Sequence, residues 1–377
     1  MKKYEDYLIY TRRELHKIPE LEFDLPKTIN FIATELKKMN YEYKMVLGSI
    51  VVEVGINTPV VLIRADIDAL PINEENELEF KSIHENKMHA CGHDSHGALL
   101  LTLLKYIKEE KVEVLGKLIC VFQANEEGGP PSGAKNVVEG LNLSYLDLAL
   151  AIHISPSIEV GVIGLRANEY NANCDGFKVN IIAKGGHAAY PHNTIDPIQI
   201  FSELYYAIHL MKTREIDQVE KSVISITKVH SGTAFNIVPD SLSFEGTIRT
   251  YNDELRDIIF LKIARIIKSI ESLHDIKIDY QPIYGCPSVL NDEDIINLIE
   301  KELLKNNVKT IRLKQPAMGA DDFSYFSRLN KGVMLSLGVN SNNNMPLHNP
   351  RFIMNEAGLI KGLITYDIVL RALKVIK

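Results

Sequence analysis

Apolar and polar positions follow two rhythms along this chain, and the rhythm changes near residue 172. Over residues 4–17, Leu8, Ile9 and Leu15 stand among charged residues, which predicts a surface helix. From Pro26, the residues Ile29, Ile32, Leu36 and Met39 share one helical face, and Pro26 suits a first turn. Near-continuous apolar runs follow at 49–54, 60–63, 118–122 and 146–152. Such runs predict strands covered on both faces, as in an α/β sheet. After 172 the pattern becomes strict alternation, with Lys178 and Asn180 between Phe177, Val179 and Ile181. That period predicts half-exposed strands at 176–183, 222–230, 234–238, 241–249 and 276–284. Helical patterns at 197–210 and 255–270 lie among them, giving two helices on one face of an antiparallel sheet. The chain then returns to a helix at 292–304, a strand at 333–337 and a broadly apolar helix at 355–375, expected to pack on the first sheet. Asn342, Asn343 and Asn344 read as a polar loop tip.

The expected class is therefore α/β, a sheet with helices on both faces, formed by residues 1–171 and 286–377. An α+β domain, residues 172–285, interrupts it. A length of 377 residues agrees with two cores rather than one. The net charge of −7 offers no basic footprint for nucleic acid or an anionic membrane surface. No apolar run reaches bilayer length, and acidic residues follow Lys2 and Lys3 too soon for an apolar signal segment. The cysteines, Cys91, Cys120, Cys174 and Cys286, are scattered and read as free thiols, so a cytoplasmic location is expected.

Chemistry concentrates where the apolar runs stop. Met88-His89-Ala90-Cys91-Gly92-His93-Asp94-Ser95-His96 leads straight into Ala98-Leu99-Leu100-Leu101. This is a turn rich in thiol, imidazole and carboxylate before a buried helix, and these side chains are the ones that bind zinc-like ions. Asp66 and Asp68 follow the run at 60–63, Glu126 and Glu127 follow 118–122, and His153 follows 146–152. In an open α/β sheet, ligands bind beyond the carboxyl ends of strands. A hydrolase using metal-activated water explains this set, with Cys91, His93, Glu127, His153 and His348 as ligands and Glu126 as proton carrier. Two other classes stay open at this point. One is an amidase with Cys91 as nucleophile, which needs one base and leaves the paired carboxylates unexplained. The other is a non-catalytic metal-binding protein, which has no need of a carboxylate beside a ligand. No phosphate-binding glycine loop stands at a strand–helix junction, and no Gly-x-Ser-x-Gly elbow occurs.

Several motifs can be taken together: 12–16 with 19–21, 64–71, 88–94, 122–128, 185–192, 236–240, 245–250 and 322–325. In this order the chain resembles the aminoacylase/carboxypeptidase family of metallopeptidases, peptidase family M20, in its amidohydrolase branch. The resemblance covers nearly the whole chain. It implies a mixed-sheet catalytic domain holding one or two divalent ions (Zn, Mn, Co or Ni), interrupted by a lid that also dimerises. It implies the same five ligands, Glu126 as general base, Asp66 and Asp68 as supporting groups, and His187 as oxyanion stabiliser. It also implies substrate contacts at Asn236 and Arg249. The implied substrate is an N-acyl amino acid or small peptide, with N-acetyldiaminopimelate deacetylation as the alternative. The implied assembly is a homodimer or higher homo-oligomer. Ala124-Asn125 and Asp321 depart from the Pro-Ala and Glu usual in relatives, and neither departure replaces a ligand.

Overall fold

A computed structural model describes residues 1–341 and 345–377. The expected loop tip at 342–344 lies outside the described residues. The chain divides into two compact units. The first comprises Met1–Tyr170, Val289–Pro316 and Asp322–Lys377, and the second Asn171–Ser288 with Ala317–Asp321.

An eight-stranded mixed sheet forms the first unit. Its strands β1 (Lys44–Val46), β2 (Ser49–Gly55), β3 (Val60–Asp66), β4 (Lys117–Gln123) and β5 (Leu148–Ser155) lie in the order β1-β2-β4-β3-β5. The strands Lys331–Gly338, Ile163–Leu165 and Thr310–Arg312 extend it beyond β5. β3 runs parallel to both β4 and β5, and β5 runs parallel to Lys331–Gly338. The apolar runs are explained by cover on both faces. Val61, Ile63 and Ala65 of β3 enter one core, with helices α1 (Glu5–Lys17), α2 (Pro26–Lys38) and α3 (His93–Glu109). Val60 and Leu62 enter the opposite core, with Ala134 and Val137 of the helix Gly133–Gly140 and with Phe323 and Phe326. β4 divides in the same way, Leu118, Cys120 and Phe122 against Ile119 and Val121. Chain order places β4 on one side of β3 and β5 on the other, so the carboxyl ends of three parallel neighbours meet at a switch point.

Three elements of this unit differ from the sequence reading in extent. β3 and β5 continue through Asp66 and through His153. These residues are strand residues, because parallel pairing to Gln123 and to Lys331–Gly338 carries the ladder that far. The expected helix at 355–375 is a 3-10 turn, Glu356–Gly358, then a helix over Leu359–Ala372. The Asn355 side chain starts that turn by accepting the Ala357 N–H. The helix packs in the same core as α1 and α3, through Leu363, Tyr366 and Val369.

The second unit is a four-stranded antiparallel sheet in the order Ser222–Ser231, Ser241–Thr250, Asp175–Ile182, Lys277–Ile283. Phe177, Val179 and Ile181 turn inward against the helices Pro197–Arg214 and Asp253–His274, and Lys178 and Asn180 face solvent. Asp196 and Asn252 cap these helices by accepting N–H groups of their first turns. The strand expected at 234–238 is only Ile237–Val238, paired to Gly186–His187. Phe235 is fully exposed, and the partner strand Gly186–His187 is itself only two residues long.

Candidate metal centre

Gly92 has φ +84°, a left-handed conformation that turns the backbone from Cys91 into α3. The turn leaves Cys91 just before the helix and His93 as its first residue, both buried. Asp68 then sets the His93 ring. His93 Nδ1 lies 2.9 Å from the Asp68 carbonyl oxygen and 3.3 Å from its Oδ1. Both are acceptors, so Nδ1 carries the hydrogen and Nε2 presents a lone pair. That Nε2 is buried and has no hydrogen-bond partner. It faces carboxylates, 3.4 Å from Asp66 Oδ2 and 3.9 Å from both Glu126 Oε2 and Glu127 Oε1.

His153 is arranged alike. Its Nδ1 donates to the Ile154 carbonyl at 2.8 Å, and its Nε2 lies 3.6 Å from Cys91 Sγ. His348, at φ +64°, is anchored by its own N–H to the Ala90 carbonyl at 2.9 Å. Its Nε2 lies 3.3 Å from Cys91 Sγ and 3.3 Å from Glu127 Oε1. Glu127 is fixed through its backbone, whose N–H donates to Asp68 Oδ2 at 2.9 Å. The structure therefore gathers Cys91, His93, Glu127, His153 and His348, with Glu126 beside them. Ligand atoms of Cys91, His93 and Glu127 all lie within 4.8 Å of one another.

His96, to which the sequence analysis gave no role, lies in a second such group with Asp66, His93 and His153. Both of its nitrogens are already used. Nδ1 donates to Asp66 Oδ1 at 2.5 Å, and Nε2 accepts the Ile154 N–H at 3.0 Å. It orients the strand that carries His153, and its spacing from His93 in sequence gave no sign of this.

The charges around the cluster are held in fixed places. Burial works against the Asp66 carboxylate, yet Arg64, His93 and His96 hold it well below the usual range. Arg64 donates to Asp66 Oδ2 at 2.6 Å and to Asp322 Oδ1 at 2.9 Å. Asp322 also accepts from Gln123, Ser132 and the Ala134 N–H. On the far side of α3, Asp94 pairs with Arg12 at 2.8 Å and with His16 at 2.7 Å, and Glu74 lies 3.3 Å from His16. These groups fix the first turn of α3. The sequence gave Arg12, His16, Arg64, Asp94, Gln123 and Asp322 motif membership and no task, and it gave no sign of Glu74.

The donor set fits a divalent cation. Burial pushes the Cys91 thiol well above its ordinary value, and the Glu127 and Glu126 charges add to this. His93 is raised in spite of burial, chiefly by Asp66 and Cys91. The cluster thus draws a proton to a lone pair that a metal would otherwise take, and metal binding to such a set displaces protons.

In the second unit, His187 pairs with Ile237, and the Ala188 N–H donates to the Asn236 carbonyl at 3.1 Å, so His187 and Asn236 are close neighbours. The Ala189 N–H donates to His187 Nδ1 at 3.1 Å, which leaves the proton on Nε2 of an exposed ring. Arg249 lies on another strand of that unit and donates to the Asn173 carbonyl at 3.2 Å.

The pattern of Peptidase family M20/M25/M40 matches residues 62–371. The chain belongs to this family. Thermostable carboxypeptidase 2 of Saccharolobus solfataricus is 34% identical over 98% of this chain and 96% of its own length. The N-acetyldiaminopimelate deacetylase of Anoxybacillus flavithermus is 35% identical over 92% of each chain. A crystal structure of a dinuclear metal binding peptidase of the M20 family from Bacillus subtilis superposes with a TM-score of 0.84 at 29% identity, covering 100% of this chain and 98% of that one. The M20 chain described here is thus a metal-dependent hydrolase. Among the described residues, no helix is long and apolar enough to cross a membrane.

Proposed function

We propose that Cys91, His93, Glu127, His153 and His348 hold one or two divalent ions, and that Glu126 is the general base for cleaving the amide bond of an N-acyl amino acid or small peptide. The observation that carries this reading is the buried, unpartnered Nε2 of His93 within reach of Cys91 and Glu127. A divalent ion in such a site lowers the pKa of water and polarises the scissile carbonyl. Glu126 Oε2 reaches the same space, 3.9 Å from His93 Nε2, and can take the proton of the attacking water and pass it to the leaving amine. Asp68 keeps the lone pair of His93 pointing inward, and Asp66, balanced by Arg64, supplies charge behind it.

His187 carries its proton on Nε2, as an oxyanion donor requires, and the family resemblance assigns it that role from the second unit of a neighbouring subunit. Asn236 and Arg249 are the substrate contacts in this reading. The second unit then serves as lid and dimerisation domain, and the assembly is a homodimer working in the cytoplasm. Deacetylation of N-acetyldiaminopimelate is a second reading, supported by the 35% identity to a deacetylase of that name. A Cys91 nucleophile is disfavoured, because ligation to a metal would make the thiolate a poor attacker on an amide, and a single nucleophile leaves the paired carboxylates unexplained.

Treatment with a chelator, followed by Zn, Mn, Co or Ni, tests this on N-acetyl, N-benzoyl and dipeptide substrates. Activity should vanish and return with metal. Activity that survives the chelator and dies on alkylation would overturn the reading in favour of the thiol.

A further inference from the structure

Scattered in the sequence, two cysteines to which the proposed hydrolysis gives no role come together in the fold. Cys174 and Cys286 lie near the points where the chain enters and leaves the second unit. The ladder between the strands Asp175–Ile182 and Lys277–Ile283 ends at Gly176 and Ile283. Past that end the two segments stay side by side. The Cys174 N–H donates to the Cys286 carbonyl at 3.0 Å, and the Gly285 N–H donates to Asp175 Oδ1 at 2.9 Å. Gly285 makes the approach possible, since a Cβ there would stand 1.6 Å from the Cys174 carbonyl oxygen. One backbone hydrogen bond thus joins the two cysteines directly, and the close approach at Gly285 holds their segments together.

The side chains meet as well. Hydrogen bonding from Cys286 is the largest influence on the Cys174 thiol, and the Arg249 guanidinium adds to it. Both favour the thiolate and outweigh burial, lowering the group to about 5. Cys174 is exposed and Cys286 partly so, whereas Cys91 and Cys120 are buried. An accessible thiolate beside a second thiol has the features of an oxidisable pair, and an ordinary structural cysteine has none of them.

We propose that Cys174 and Cys286 form a redox-active dithiol that closes to an intramolecular disulfide on reaction with a hydroperoxide. The Cys174 thiolate attacks the outer peroxide oxygen. The O–O bond breaks, Cys174 becomes a sulfenic acid, and the departing oxygen takes a proton and leaves as water or an alcohol. The Cys286 sulfur then attacks the sulfenic sulfur. The S–S bond forms, the S–O bond breaks, and water leaves with the Cys286 proton. Two thiols lose two electrons to one peroxide, and a reducing dithiol reverses the change. The bond ties the entering segment to the leaving one and removes the negative charge beside Arg249.

The test uses the full-length, metal-loaded, reduced enzyme exposed to hydrogen peroxide near neutral pH, quenched with a maleimide and mapped by mass spectrometry without reduction. The expected product is a Cys174–Cys286 linked peptide pair within one chain, lighter by two hydrogens and restored by dithiothreitol. In Cys286→Ser, Cys174 should accumulate as a sulfenic acid trapped by dimedone. In Cys174→Ser, neither adduct nor link should form. Circular dichroism of each variant confirms that it is folded. Both thiols remaining alkylatable after peroxide would overturn the proposal, as would a link only between chains or an unchanged dimedone yield in Cys174→Ser.

Discussion

Gly92→Ala probes the turn that delivers both Cys91 and His93. Two separate costs can be read from the structure. At φ +84° a β-carbon is strained, at about 1–2 kcal/mol. The new Cβ would also stand 2.2 Å from Ile154 Cδ1 and 2.7 Å from its Cγ1, overpacking that costs about 1–3 kcal/mol. The expected loss is therefore about 2–5 kcal/mol. The second cost carries a functional consequence. The Ile154 carbonyl holds His153 Nδ1, and the Ile154 N–H holds His96 Nε2. Displacing Ile154 rotates His153 away from Cys91, so metal content should fall along with stability. Denaturant unfolding and metal analysis read the two effects. The double variant separates them, because on an Ile154→Ala background Gly92→Ala should cost only the backbone part, about 1–2 kcal/mol. A Gly92→Ala enzyme with wild-type stability and full metal would refute the reasoning. So would equal costs in the two backgrounds.

Other outcomes follow from the same geometry. Asp68→Ala keeps the carbonyl that holds His93 Nδ1 but removes the Oδ1 contact to that ring and the Oδ2 acceptor of the Glu127 N–H, and should weaken metal affinity roughly 10–100-fold by titration against a competing chelator while the fold persists. Asp175 is raised to about 6, first by burial and also by Cys174 and Asp253, while Gly285 and Arg256 pull the other way. Its contribution to stability is thus complete below about pH 4 and lost as pH rises through about 6. Asp175→Asn cannot ionise, so its stability relative to wild type should grow from pH 4 to 8 by up to about 2 kcal/mol. A flat difference across that range in denaturant unfolding would remove Asp175 from the account.

The sequence revealed most where many residues spoke at once. Long apolar runs gave β3, β4 and β5, since cover on both faces demands apolar side chains at every position. The residues following those runs gave the cluster around Cys91. Short strands such as Lys44–Val46 and Thr310–Arg312 were invisible, because three residues establish no period. Strand ends were misplaced by a few residues at Asp66 and His153, where pairing with a neighbour and not local composition decides the limit. Tertiary partnerships stayed hidden for a related reason. Nothing local to His96 says that Asp66 and the Ile154 N–H occupy its nitrogens. Cys174 and Cys286 are far apart in sequence and become neighbours only when the last strand of the second unit returns beside the first.

The division of labour between two adjacent carboxylates is the centre of the account, and one comparison tests it most directly. Metal content and turnover are measured side by side for Glu126→Gln and Glu127→Gln. Glu126→Gln should retain the wild-type metal content and lose about 10²–10⁴-fold or more in kcat, since the amide keeps its shape and cannot take a proton. Glu127→Gln should lose metal, because its carboxylate lies with Cys91 and His93 in the cluster. Normal turnover in Glu126→Gln, or metal loss there with full retention in Glu127→Gln, would contradict the assignment.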